Sequence, residues 1–241
     1  MGGPNRAISL GLPERGAEIE AWQHMIRAMG EVGIGNIFYN FKPSGNHRTA
    51  SAVGRGGAQL STFNYKAWQV RCRGAWTHVT LVHVSKFSRH PIASAATHAA
   101  QPADPHRWFP ISGAPWQTEY DGSRDAPVSA EQIWASLRFF LAAVVPVAER
   151  AGVRLALHPE DPPVLEALGQ AAHITSTLDQ YERVFEMVPS RSNAMAFCQG
   201  CVTEMGEAGR GGSIADAIRR MVSQDKVTGL ARVCLACATV H

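Results

Sequence analysis

The chain has 241 residues, 45% of them hydrophobic, enough to bury a full core in one domain of the size an α/β barrel uses. No apolar run approaches the roughly 20 residues that cross a bilayer, and the opening Met1-Gly-Gly-Pro-Asn-Arg6 lacks the apolar stretch of a signal peptide, so a cytoplasmic protein without a membrane partner is expected. Five cysteines, an odd number, form no disulfide framework and suit reduced thiols.

The formal charge of +3 is unevenly spread. Residues 66–110 hold six Lys or Arg against one acid, Asp104, while the remainder carries 17 basic against 19 acidic residues. That stretch also holds five of the ten histidines and little periodicity beyond Thr77 to Val84, so it reads as a poorly determined insertion in one domain. A nucleic-acid surface needs basic residues interleaved with stacking aromatics on a definable fold, and none is expected here.

In chain order, Glu18 to Met29 puts Ile19, Trp22, Met25, Ile26 and Met29 on one helical face, with Gly30 and Gly33 as the stop. Asn36 to Phe41 fits the strand that follows. His47-Arg-Thr49 and Gly54-Arg-Gly-Gly-Ala58 read as a glycine-rich loop with two arginines, suited either to closing over an anionic substrate or to lying solvated at the surface. Ser129 and Gln132 form a capping box for a helix to about Arg150, with Ile133, Leu137, Phe140, Val144 and Val147 facing inward. Pro146 must kink it or sit in a broken final turn. Gly152 ends it, and the aliphatic run Val153 to Leu157 reads as a buried parallel strand stopping at His158.

Ser176 is placed to cap the next helix, whose Leu178, Tyr181, Val184, Phe185 and Val188 face inward and which Pro189 stops. The run Ala194 to Phe197 ends at Cys198 two residues before Gly200, and Ile214 to Val222 is a last short helix. With no Asn-Gly hairpin signal, the alternation predicts right-handed parallel crossovers: an α/β fold of (β/α) barrel type. No GxGxxG or P-loop pattern is present.

His158 and Cys198 thus each stand at the C-terminal end of an inner strand, the edge where α/β folds bind ligands. An imidazole and a thiolate aimed at one rim suit a divalent metal, although each alone reads as a hydrogen-bonded histidine or a small packed hydrophobe. A competing metal reading pairs Cys198-Gln-Gly-Cys201 with Cys234-Leu-Ala-Cys237 as a structural zinc site, at a separation wider than a zinc ribbon uses.

The segment Trp134 to Gly206 resembles the mannonate dehydratases, enzymes built on a xylose-isomerase-like α/β barrel. The resemblance rests on Val145-Pro-Val-Ala-Glu149, Gly152-Val-Arg-Leu-Ala-Leu-His-Pro-Glu-Asp-Pro-Pro163, Ser190-Arg-Ser-Asn193, Phe197-Cys-Gln-Gly200 and Glu204-Met-Gly206. Gly33-Ile34, Tyr39-Asn-Phe41, Arg48-Thr49 and Gly54 to Ala58 extend it to about three-fifths of the chain.

The resemblance implies Mn2+ or Fe2+ held by His158 and Cys198, with Arg48 on the substrate carboxylate. The implied reaction removes water from D-mannonate to give 2-keto-3-deoxy-D-gluconate in hexuronate breakdown. A third family ligand is expected soon after Val227, where this chain reads Thr228-Gly-Leu-Ala-Arg-Val233. The family's last metal ligand and its acid and base would fall beyond His241, so no catalytic residue is assigned. Residues 228–241 form an unmatched tail, and the chain reads as an incomplete barrel. The alternatives are an inactive remnant of the family and a sugar isomerase or epimerase on the same barrel. Exposed sheet edges invite association, which makes a homo-oligomer one of the expectations.

Overall fold

The computed structural model describes residues 6–43, 50–64, 128–165, 167–168 and 171–231. They fall into two compact units, the described residues of 6–43 and 128–231 in the first and residues 50–64 in the second.

The first unit opens with a short helix α1 (Arg6–Leu10), whose Ala7 and Ile8 amides donate to the Glu18 carboxylate at 3.2 and 2.8 Å. Helix α2 (Arg15–Glu31) buries Ile19, Trp22 and Ile26, with Met25 and Met29 packed at the edge of the core. It stops as its glycines predict: Gly33 adopts φ +76°, and the Ile34 amide reaches back to the Met29 carbonyl at 2.8 Å. Strand β1 (Asn36–Tyr39) follows.

Ser129 and Gln132 form the expected capping box for helix α3 (Ala130–Ala151), and Gly152 at φ +66° caps its end. The helix continues five residues past Pro146 rather than breaking there. Pro146 cannot donate to Ala142 O, and the neighbouring Ala143 carbonyl takes a bond from Gln23 of α2 at 2.9 Å. By length and composition α3 could also cross a membrane. Its apolar stripe is instead spent in the core, where Ile133, Leu137, Phe140, Leu141, Val144 and Val145 are fully buried. Phe140 lies at the centre of an aromatic cluster with Trp22, Tyr39 and Phe41, ring centroids 5.2 to 5.7 Å away.

Strand β4 (Arg154–Leu157) leads through a loop to helix α4 (Leu178–Met187). Its cap is Thr177, which forms the capping box with Gln180; Ser176, the expected cap, instead donates its hydroxyl to Val164 O at 2.7 Å. Strand β5 (Asn193–Cys198) is followed by two short helices, α5 (Gln199–Glu204) and α6 (Gly206–Arg210), then by α7 (Ile214–Ser223) and strand β6 (Val227–Ala231). The four strands form one parallel sheet in the order β1-β4-β5-β6. All six residues of β5 are buried, which is why its sequence shows no alternation.

In the second unit the expected glycine-rich loop is a hairpin. Strands β2 (Ala50–Val53) and β3 (Gln59–Thr62) pair antiparallel around a 3-10 turn at Arg55–Gly57. Gly56 and Gly57 take φ +69° and +80°, so they supply the left-handed backbone that an Asn-Gly turn would otherwise give. Arg48 and the insertion at 66–110 lie outside the described residues, as do residues 232–241 of the tail and with them Cys234 and Cys237.

Candidate metal and active site

His158 and Cys198 are brought together by strand register. Leu157 pairs with Tyr39 on one side and Met195 on the other, so β4 and β5 run parallel and end at the same edge. The His158 amide extends the ladder by donating to Tyr39 O at 2.8 Å. Tyr181 of α4, fully buried, donates its hydroxyl to Leu157 O at 3.1 Å and pins the end of β4. Burial, with Cys201, Glu160 and Tyr39 nearby, pushes the Tyr181 phenol well above its ordinary range, so it stays a neutral donor.

The His158 ring has a defined role for one nitrogen. Nδ1 lies 2.8 Å from Pro159 O, and a carbonyl only accepts, so Nδ1 carries a proton. An imidazole held by that proton on Nδ1 has Nε2 as the nitrogen a metal would take. His158, Cys198 and Cys201 each offer a donor atom, and the three atoms all lie within 4.8 Å of one another. Two ligands of one tetrahedral ion sit roughly 3.5 Å apart, given metal–sulfur and metal–nitrogen bonds of about 2.3 and 2.0 Å, so small side-chain adjustments bring this set around one cation. The donor chemistry fits a divalent transition metal.

Cys198 is 4% exposed, and its thiol is pushed down to about 4. The main cause is hydrogen bonding from the Cys201 side chain; the His158 ring and the Cys201 backbone N–H act in the same direction, while burial opposes them. These contacts favour the thiolate, the form that binds metal.

The surrounding loop adds carboxylates that residue spacing did not single out as a group. Glu160 is 2% exposed and its Oε2 faces Lys42 Nζ at 3.8 Å, a buried ion pair across from β1. The loop is tied down where the Glu160 amide donates to Thr175 O at 3.2 Å. Asp161, Cys201 and Glu204 form a second group with donor atoms within 4.8 Å of one another, so Cys201 belongs to both clusters. The signal for Cys201 was its place three residues after Cys198. It becomes meaningful only because the chain turns into α5 at Gln199, which carries residue 201 back over the strand end. Beyond Cys198 the register places Ala231 of β6, a residue type with no ligand atom.

The sequence profile of the D-mannonate dehydratase (UxuA) family matches residues 3–224. The chain belongs to this family. The mannonate dehydratase 1 of Halalkalibacterium halodurans is 27% identical over 195 residues, covering 81% of this chain and 49% of that protein. The mannonate dehydratase of Brucella canis is 44% identical over 75 residues, 31% of this chain and 18% of that one. The crystal structure of mannonate dehydratase from Streptococcus suis serotype 2 superposes with a TM-score of 0.62 at 22% identity, over 93% of this chain and 52% of that one. The family fold, a parallel α/β sheet of barrel type, is therefore shared. The chain spans about half the length of the family members it matches.

Proposed function

We propose that this chain carries the metal-binding half of a mannonate dehydratase active site, acting in removal of water from D-mannonate to give 2-keto-3-deoxy-D-gluconate. The observation that carries this reading is the convergence of His158 and Cys198, from neighbouring parallel strands, within 4.8 Å at one sheet edge. His158 and Cys198 would hold the cation, Mn2+ or Fe2+ on the family resemblance. When bound, such a cation chelates the substrate carboxylate and spreads the charge that builds up as the adjacent proton leaves.

The chain's own residues do the positioning. Pro159 O engages His158 Nδ1, which would leave Nε2 as the ligand nitrogen. Burial of Cys198 and Cys201 keeps water from the sulfur side of the site. Lys42 compensates the buried Glu160 carboxylate, two residues after His158 in the same loop.

The alanine at position 231 favours a second reading, in which the site binds a cation without turnover. Incubating the purified chain with Mn2+ or Fe2+ and D-mannonate, and assaying for the 2-keto-3-deoxy acid, separates the two. Product that disappears with His158→Ala supports the dehydratase. Folded, metal-loaded protein that forms no product supports the non-catalytic reading.

A further inference from the structure

The dehydratase reading uses His158 and Cys198 as ligands and gives Cys201 no ligand role, although its side chain hydrogen-bonds Cys198. Cys201 is fully buried at the first turn of α5, at the strand end that supplies Cys198. Its sulfur stands within 4.8 Å of both the Cys198 sulfur and a His158 ring nitrogen, and it shares a second cluster with the carboxylates of Asp161 and Glu204. A thiol that only filled core space would not need to face four other metal-capable groups. We propose that Cys201 is a third metal ligand, giving a His158–Cys198–Cys201 set that selects a thiophilic divalent cation, ferrous iron or zinc, over manganese.

The chemistry follows from donor softness. Manganese prefers carboxylate, carbonyl and water oxygens and lies at the weak end of the divalent series, whereas iron and zinc accept thiolate readily. Two sulfurs and one imidazole leave a fourth position open, the layout of a catalytic rather than a structural site. The two thiolates cancel the charge of a divalent ion, so a neutral unit sits in a buried pocket, where an uncompensated charge is costly. On binding, the cation displaces the Cys201 thiol proton, which leaves to solvent.

This inference rests on the reading of His158 and Cys198 as ligands, and cobalt tests the two separately. The full chain would carry Cys72→Ser, Cys234→Ser and Cys237→Ser, so that only Cys198 and Cys201 remain. Cobalt added to the metal-free protein should give a near-ultraviolet sulfur-to-cobalt charge-transfer band that falls to about half its intensity with Cys201→Ala, since intensity counts thiolates. Zinc should displace the cobalt, and manganese at equal concentration should not. Cadmium-113 NMR of the same chain without the Cys201 change should report two sulfur ligands, which keeps the test independent of how that substitution folds. A band that Cys201→Ala leaves intact, with a one-sulfur cadmium signal, overturns the role of Cys201 while the His158 and Cys198 reading stands. Absence of any band before that substitution overturns both.

Discussion

Gly30 is the position where a single methyl group tests the packing most sharply. A Cβ there would stand 2.5 Å from Ala151 O and 2.9 Å from Ala151 Cβ, so the C-terminal ends of α2 and α3 touch backbone to backbone. In Gly30→Ala the helix gains propensity, but only about 0.5 kcal/mol next to a helix end, against about 1 kcal/mol in mid-helix. The clash cannot be relieved by a side-chain rotation, because the nearest atom is a carbonyl, and overpacking of this kind costs about 1–3 kcal/mol. The net loss should be about 1–2 kcal/mol, which for a chain of this size lowers Tm by about 3–6 °C.

Gly16, in the first turn of the same helix, is the control: nothing lies within 4 Å of its added Cβ, so Gly16→Ala should raise stability by about 0.5 kcal/mol. Thermal and urea unfolding followed by circular dichroism would measure both. The contact lies at the ends of helices that feed into β1 and β4, opposite the strand ends that carry His158, so cobalt affinity should not change with either substitution. Two substitutions of the same sign, or a Gly30→Ala protein as stable as the parent, would refute the described approach of α2 to α3.

Phe140→Ala removes the ring at the centre of the aromatic cluster and should cost about 3–5 kcal/mol, read as a lower urea midpoint at unchanged slope. Asn193 is fully buried and its amide donates to Val184 O at 2.8 Å and Val188 O at 3.2 Å. Asn193→Ala should destabilise by about 1–3 kcal/mol by stranding the end of α4, and hydrogen exchange should then speed up at α4 first. Acid should unfold the chain in part through Glu182, which a hydrogen bond from Arg220 holds below its usual range, and through Asp225, which Arg191 holds down likewise. Because these folded-state values are depressed, their stabilisation is present above the unfolded carboxylate range near pH 4 and is lost as pH falls through the lower folded values. In Arg220→Gln the decline of Tm below about pH 4 should be shallower; an unchanged slope would remove that pair from the account.

The sequence by itself determined the elements that local chemistry dictates. The capping box at Ser129 and Gln132, the glycine stops at Gly33 and Gly152, and the aliphatic runs ending at His158 and Cys198 were all legible, because each is set by residues within a few positions of one another. The parallel order of the strands followed from their alternation with helices. The hairpin at 50–62 had its turn signal in Gly56-Gly57, but its short flanking strands Ala50–Val53 and Gln59–Thr62 carry one large aliphatic residue each, too little apolar patterning to mark them as strands. The exchange of Ser176 for Thr177 as helix cap was equally hidden, because Val164 O, twelve residues back in the chain, claims the serine hydroxyl. Only the tertiary structure decided which polar groups meet. Strand register put His158 beside Cys198, the turn into α5 set Cys201 against both, and Lys42 found Glu160 across more than a hundred residues. Distances between groups remote in sequence depend on how whole strands and helices dock, and that information is carried by the packed core as a unit.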